Sequence, residues 1–174
     1  NSLSKVNNWT EFTLSQREYS KKDQGTRFEL LTKELFRLDP LYTSWIRNVW
    51  LSSELPVRVQ KILNLKSDIG FDLILEDNDG RLIPVQCKYH SDPSRNVGWK
   101  EASTFVGLYN DKKFCQEAFL CSNAFGVSKN FDSLEGKPIN RILGSQWSKL
   151  DASFFGNIRN RASKDLVPYR PLKH

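Results

Sequence analysis

The sequence predicts a single α/β or α+β domain, with a central sheet that carries helices on both sides. Three observations lead there. A helical apolar pattern starts at Gln24, a hairpin pattern spans residues 71–89, and helix-like and strand-like segments alternate after it. A chain of 174 residues suits one domain with a buried core.

Residues 1–23 are polar and weakly patterned and predict an N-terminal arm or short helix. Phe28, Leu31, Leu35 and Leu38 then recur at helical spacing. Asp23 is the expected N-cap before Gly25, and Asp39-Pro40 ends the helix. Trp45, Ile46, Val49, Trp50 and Leu51 predict a strand and its exit loop, closed by Pro56. Residues 58–66 are basic and read as loop or short helix.

The hairpin follows. Phe71, Leu73 and Leu75 alternate with Asp72 and Ile74, and Asn78-Asp79-Gly80 is a turn whose third residue must be left-handed. That loop sets Asp77 against Arg81. Counting back puts Asp72 across from Gln86, and Lys88 points to the same face as Gln86. A slip of one residue would destroy the arrangement.

A helix over 99–109 buries Ala102, Phe105, Val106 and Tyr109; a short strand covers 118–122; residues 123–131 form a loop entering a helix; and 139–143 is a last strand. The core unit is thus residues 24–150, and 151–174 is a mixed C-terminal extension.

Apolar residues at 39% and aromatics at 12% exclude a disordered chain. No apolar run reaches the ~20 residues of a membrane span, and the start lacks the apolar core of a signal peptide. Three cysteines without a CxxC spacing, and only two histidines, argue against a zinc site and for a reducing cytoplasm. The net charge of +6 suits a polyanionic partner as well as it serves solubility.

The candidate chemistry lies on the hairpin. Asp72 offers a carboxylate, Gln86 an amide oxygen and Cys87 a backbone carbonyl, while the Cys87 thiol faces the other way. Mg²⁺ takes oxygen ligands and needs only one or two carboxylates. Lys88 stabilises developing negative charge or positions the attacking water. Asp72 sits among apolar neighbours, where an unpaired carboxylate is costly. Taken apart from these details, the triplet is an ordinary polar strand face. Asp68 is a turn former ahead of Gly70.

The segments Gly25-Thr26-Arg27-Phe28-Glu29-Leu30-Leu31, Asp68-Ile69-Gly70-Phe71-Asp72-Leu73 and Val85-Gln86-Cys87-Lys88-Tyr89 resemble the PD-(D/E)xK nuclease superfamily, in its Mrr-like branch that tolerates QxK. The resemblance covers most of residues 24–143. It implies the restriction-endonuclease-like fold, a mixed central β-sheet flanked by helices on both sides. It implies a Mg²⁺-dependent DNA endonuclease, with Mn²⁺ as substitute, in a prokaryotic cell or its phage or plasmid. Glu29 would be the first-helix acid that assists the metal through water or positions substrate. It falls on one helical stripe with Phe36, at the edge of the apolar face. Asp72 and Gln86 would be metal ligands and Lys88 the catalytic lysine. Gln86 departs from the usual acid and keeps a second reading open: a nuclease-derived binding or interaction module without catalysis.

The nearest resemblance is to nuclease domains fused N-terminally to superfamily 2 helicases, as in type ISP restriction enzymes. Tyr169-Arg170-Pro171-Leu172-Lys173-His174 then looks like the approach to a following helicase domain. Lys61, Lys66, Arg95 and Lys100 are candidate DNA-backbone contacts.

Overall fold

In a computed structural model of the chain, residues 2–64, 70–132 and 135–166 are described, the side chains of residues 2 and 162–166 excepted. Lys66, Asp68 and the terminal segment from Tyr169 lie outside the described residues. Five strands form one mixed sheet in the order β1 (Ile46–Leu51), β2 (Leu73–Asp77), β3 (Leu82–Lys88), β4 (Ala118–Ser122) and β5 (Ile139–Ile142). The first three run antiparallel, and β3–β4 and β4–β5 are parallel. The parallel step from β3 to β4 is bridged by a helix, as such crossovers require.

Helices cover both faces. On one face, α1 (Trp9–Gln16), α2 (Lys21–Leu38) and α7 (Ala152–Leu166) pack a core of Phe12, Phe28, Leu31, Leu35, Phe36, Leu73, Leu75, Val85, Trp147 and Phe155. On the other, α4 (Val57–Leu63) and α5 (Trp99–Asp111) pack Val59, Leu63, Phe71, Ile74, Phe105, Tyr109 and Leu120. The short helices α3 (Pro40–Thr43) and α6 (Gly144–Trp147) are connectors.

The hairpin register is the one the turn predicts. Leu73 pairs with Val85 and Leu75 with Ile83, and the Asp77 N–H donates to Arg81 O at 3.0 Å. Gly80 holds φ +83°, which only glycine adopts at no cost.

Several expectations change. Ser20, not Asp23, is the N-cap of α2: its Oγ accepts the Asp23 N–H at 3.2 Å. The helix starts three residues earlier than Gln24, and Asp23 instead places its charge at the positive helix end. Phe71 does not share a face with Leu73. Gly70, at φ +66°, bends the chain, so Phe71 turns to the α5 side with its ring 5.7 Å from Phe105. Residues 129–131 make only one 3-10 turn. The mixed segment after Asp151 is the helix α7, capped by Asp151 accepting the Phe154 N–H at 2.9 Å. The N-terminal residues are core material, with Leu3, Val6 and Phe12 buried.

Candidate active site

Gln86, Cys87 and Lys88 end β3 where β2 and β3 part. The last ladder pair is Leu73–Val85, and one step further sets Asp72 across from Gln86. There Asp72 leaves the ladder, its N–H donating to Val85 O at 2.9 Å. The Cys87 N–H, past the end of the β2–β3 ladder, donates to Asp72 Oδ2 at 2.8 Å. A main-chain donor therefore orients the carboxylate. The bend that permits this is Gly70: a Cβ there would lie 2.2 Å from Leu108 Cδ1.

Glu29 reaches the same point from α2. It follows the fully buried Phe28 and is itself half-buried. Its carboxyl is electrostatically coupled to that of Asp72. Burial first, then the neighbouring Asp72, pushes Glu29 up to about 8, and the Lys88 charge offsets part of this. Asp72 is also raised, by burial, against the opposing pull of the Cys87 N–H, Glu29 and Lys88. Two carboxyls in one half-dry site cannot both ionise freely, and both are raised.

Gln86 supplies a third oxygen. Its Oε1 is buried and has no hydrogen-bond partner among the described residues. An orphaned amide oxygen is itself costly, as are two carboxyls held together away from water. The Asp72–Gln86 corner thus sets two carboxyls and an unpartnered amide oxygen beside Lys88, whose charge offsets only part of their cost, and oxygen donors are the set a hard divalent cation takes. The residues present fit such an ion. The Cys87 thiol does not join them. It is buried beside Cys121 and Thr32, and burial pushes it well above the ordinary thiol value.

The family assignment rests on comparison as well as geometry. A model of the Mrr catalytic type, described as a restriction endonuclease, matches residues 37–154. The chain belongs to this restriction endonuclease family. No curated protein and no solved structure shows a match. The family match contains Asp72, Gln86 and Lys88, whereas Glu29 precedes it.

Within this restriction endonuclease domain, the exit of β3 is held by residues that the sequence reading did not single out. Asn123, just past β4, accepts the His90 N–H at 2.7 Å and donates to the His90 carbonyl at 2.7 Å. The His90 ring lies with Nδ1 2.8 Å from the Arg95 carbonyl and Nε2 2.6 Å from Glu101 Oε1. Glu101 also caps α5 by accepting the Gly98 N–H at 2.8 Å. Lys88 therefore stands two residues before a clamp that ties β3 to β4 and α5. An asparagine after an apolar strand was a visible signal, but its partner 33 positions upstream was not.

Among the described residues, three of the four candidate DNA contacts lie on separate segments. Lys61 is exposed on α4 and Lys100 on the first turn of α5. Arg95 is exposed but has its guanidinium 3.4 Å from Glu101. Lys66 lies outside the described residues. All three cysteines are free and buried. No helix among the described residues is long and apolar enough to cross a membrane.

Proposed function

We propose that this domain is a Mg²⁺-dependent DNA endonuclease whose site is Glu29, Asp72, Gln86 and Lys88. The observation that carries the reading is the oxygen cluster: two half-buried, electrostatically coupled carboxyls beside a buried amide oxygen without a donor among the described residues. Asp72, Gln86 and the Cys87 carbonyl would hold the ion, with Glu29 assisting. When bound, a divalent ion supplies charge neutralisation at the phosphate and a more acidic water.

The chain's own residues do the rest. The Cys87 N–H fixes Asp72 in one rotamer, which lowers the cost of assembling the site. Glu29 carries a proton in the free enzyme and gives it up when positive charge arrives. Lys88, whose charge already reaches both carboxyls, is placed to donate to a phosphoryl oxygen as negative charge builds there. The nuclease family, the basic chain and the helicase-fusion resemblance together support a role as the cutting part of a larger prokaryotic DNA-translocating protein, in the cytoplasm.

The test is incubation with supercoiled and linear DNA, with and without Mg²⁺ or Mn²⁺. Cleavage that requires metal and disappears in Asp72→Asn and Lys88→Ala is expected. Metal-dependent cleavage unchanged in both variants would refute the site. DNA binding without cleavage in either metal would favour the non-catalytic module that Gln86 keeps open.

A further inference from the structure

A groove of about 540 Å³ opens beside the candidate site, within the range of cavities that hold small ligands (about 300–1,000 Å³). One wall begins at Tyr89, the residue after Lys88, and another includes Gln24, just over one turn before Glu29 on α2. Two of its walls thus start within five residues of candidate site residues along the chain. Three aromatic residues line it: Trp9, Tyr89 and Phe125.

Phe125 is the unusual one. It is 62% exposed, yet its backbone is not loose. Its N–H donates to Pro93 O at 3.0 Å, and the next residue, Gly126, accepts the Val97 N–H at 3.0 Å. The ring lies over Gly144, where a Cβ would come within 2.8 Å of Phe125 Cδ1. Glycine thus leaves room for a ring that is held by one edge and presents apolar surface to solvent. A large exposed aromatic on an ordered backbone is a pre-organised binding element.

The polar character of the groove narrows the occupant. None of its lining residues is a carboxylate, and Arg17 is an exposed cation on its wall. Its amides, Gln16, Gln24 and Asn123, are engaged in internal hydrogen bonds and are not free to read a base edge. Ring faces and a cation suit sequence-tolerant stacking on a nucleic-acid strand, with the Thr10 and Ser91 hydroxyls as small polar groups beside them. Bases paired inside a duplex hide their faces, so a ring in a groove reaches only an unstacked base.

Resting on the nuclease reading, we infer that this groove binds an unpaired nucleotide of the DNA strand next to the cleaved phosphate. The enzyme then prefers DNA with a single-stranded end, flap or gap at the site over continuous duplex. Phe125 is the stacking platform, and Arg17 contacts the backbone.

The test measures binding apart from cleavage. Fluorescence anisotropy is recorded for the full chain in EDTA, with a labelled single-stranded oligonucleotide and with a blunt duplex of the same sequence. The parent is expected to favour the single strand. Phe125→Ala should weaken single-strand binding about tenfold, leave duplex binding within about twofold, and Phe125→Trp should restore it. Equal single-strand affinity in parent and Phe125→Ala would overturn the proposal, as would an equal loss on both DNAs. Dissociation of a dimer by Phe125→Ala in sedimentation would also overturn it, by assigning the ring to a second copy. Circular dichroism checks the fold of each variant. Failure of the nuclease reading registers separately, as absence of cleavage in Mg²⁺ and Mn²⁺ while the Phe125 effect on binding persists.

Discussion

Glu29→Gln should make the metal-free protein more stable at alkaline pH while impairing the site. Glu29 ordinarily titrates near 4.5 and is pushed up to about 8 in the fold. A carboxyl with a raised folded value binds more protons folded than unfolded. Its contribution is therefore intact below pH 4.5 and is lost as pH rises toward about 8. At 1.36 kcal/mol per pH unit that window corresponds to at most about 5 kcal/mol. Water access to a half-buried group, and coupling to Asp72, reduce this to about 2 kcal/mol. The glutamine keeps the shape but cannot ionise. Its stability gain over wild type should grow from near zero at acid pH to about 2 kcal/mol near pH 8, or about 4–8 °C in Tm. Urea and thermal unfolding in EDTA across this range provide the measurement. Addition of about 10 mM Mg²⁺ should then stabilise the wild type by about 1.4 kcal/mol if its Kd is about 1 mM, and the variant by less. A variant that is destabilised equally at acid and alkaline pH would refute the reasoning, because the carboxyl would then be an ordinary packing residue.

Lys88→Ala should lower the cleavage rate by about 100-fold or more while Mg²⁺-induced stabilisation persists, read by single-turnover cleavage and thermal shift. Asp72→Asn should abolish both cleavage and the Mg²⁺-induced shift. Asn123→Ala leaves the buried His90 N–H and carbonyl without partners and should cost about 3 kcal/mol in urea unfolding. Gly144→Ala would place a Cβ 2.6 Å from the Asn123 carbonyl and should cost about 1–3 kcal/mol.

Much of the hairpin was legible because its determinants are local. Asn78-Asp79-Gly80 specifies the loop, the loop specifies the register, and the register sets Asp72 against Gln86. The 3.6-residue pattern of Phe28, Leu31 and Leu35 likewise located α2 and the apolar stripe that Glu29 borders. The α7 helix carried a readable signal too, since Phe154, Phe155 and Ile158 share a face behind the capping Asp151. Its short apolar stripe was masked by surrounding polar residues. The N-cap of α2 was misplaced because Asp23 and Ser20 are both good caps, and only the Asp23 N–H bond to Ser20 distinguishes them.

The sequence alone determined which side chains could do the chemistry and how the hairpin aligns two of them, because turn geometry and strand alternation act over a few residues. Only the tertiary structure decided the rest. The approach of α2 to the parted ends of β2 and β3 brings Glu29 against Asp72 and partly desolvates both, which raises both carboxyls. The same packing orphans Gln86 Oε1, clamps His90 to Asn123, and holds Phe125 over Gly144. Desolvation and contact between residues far apart in the chain depend on how helices cross the sheet, which no local pattern encodes.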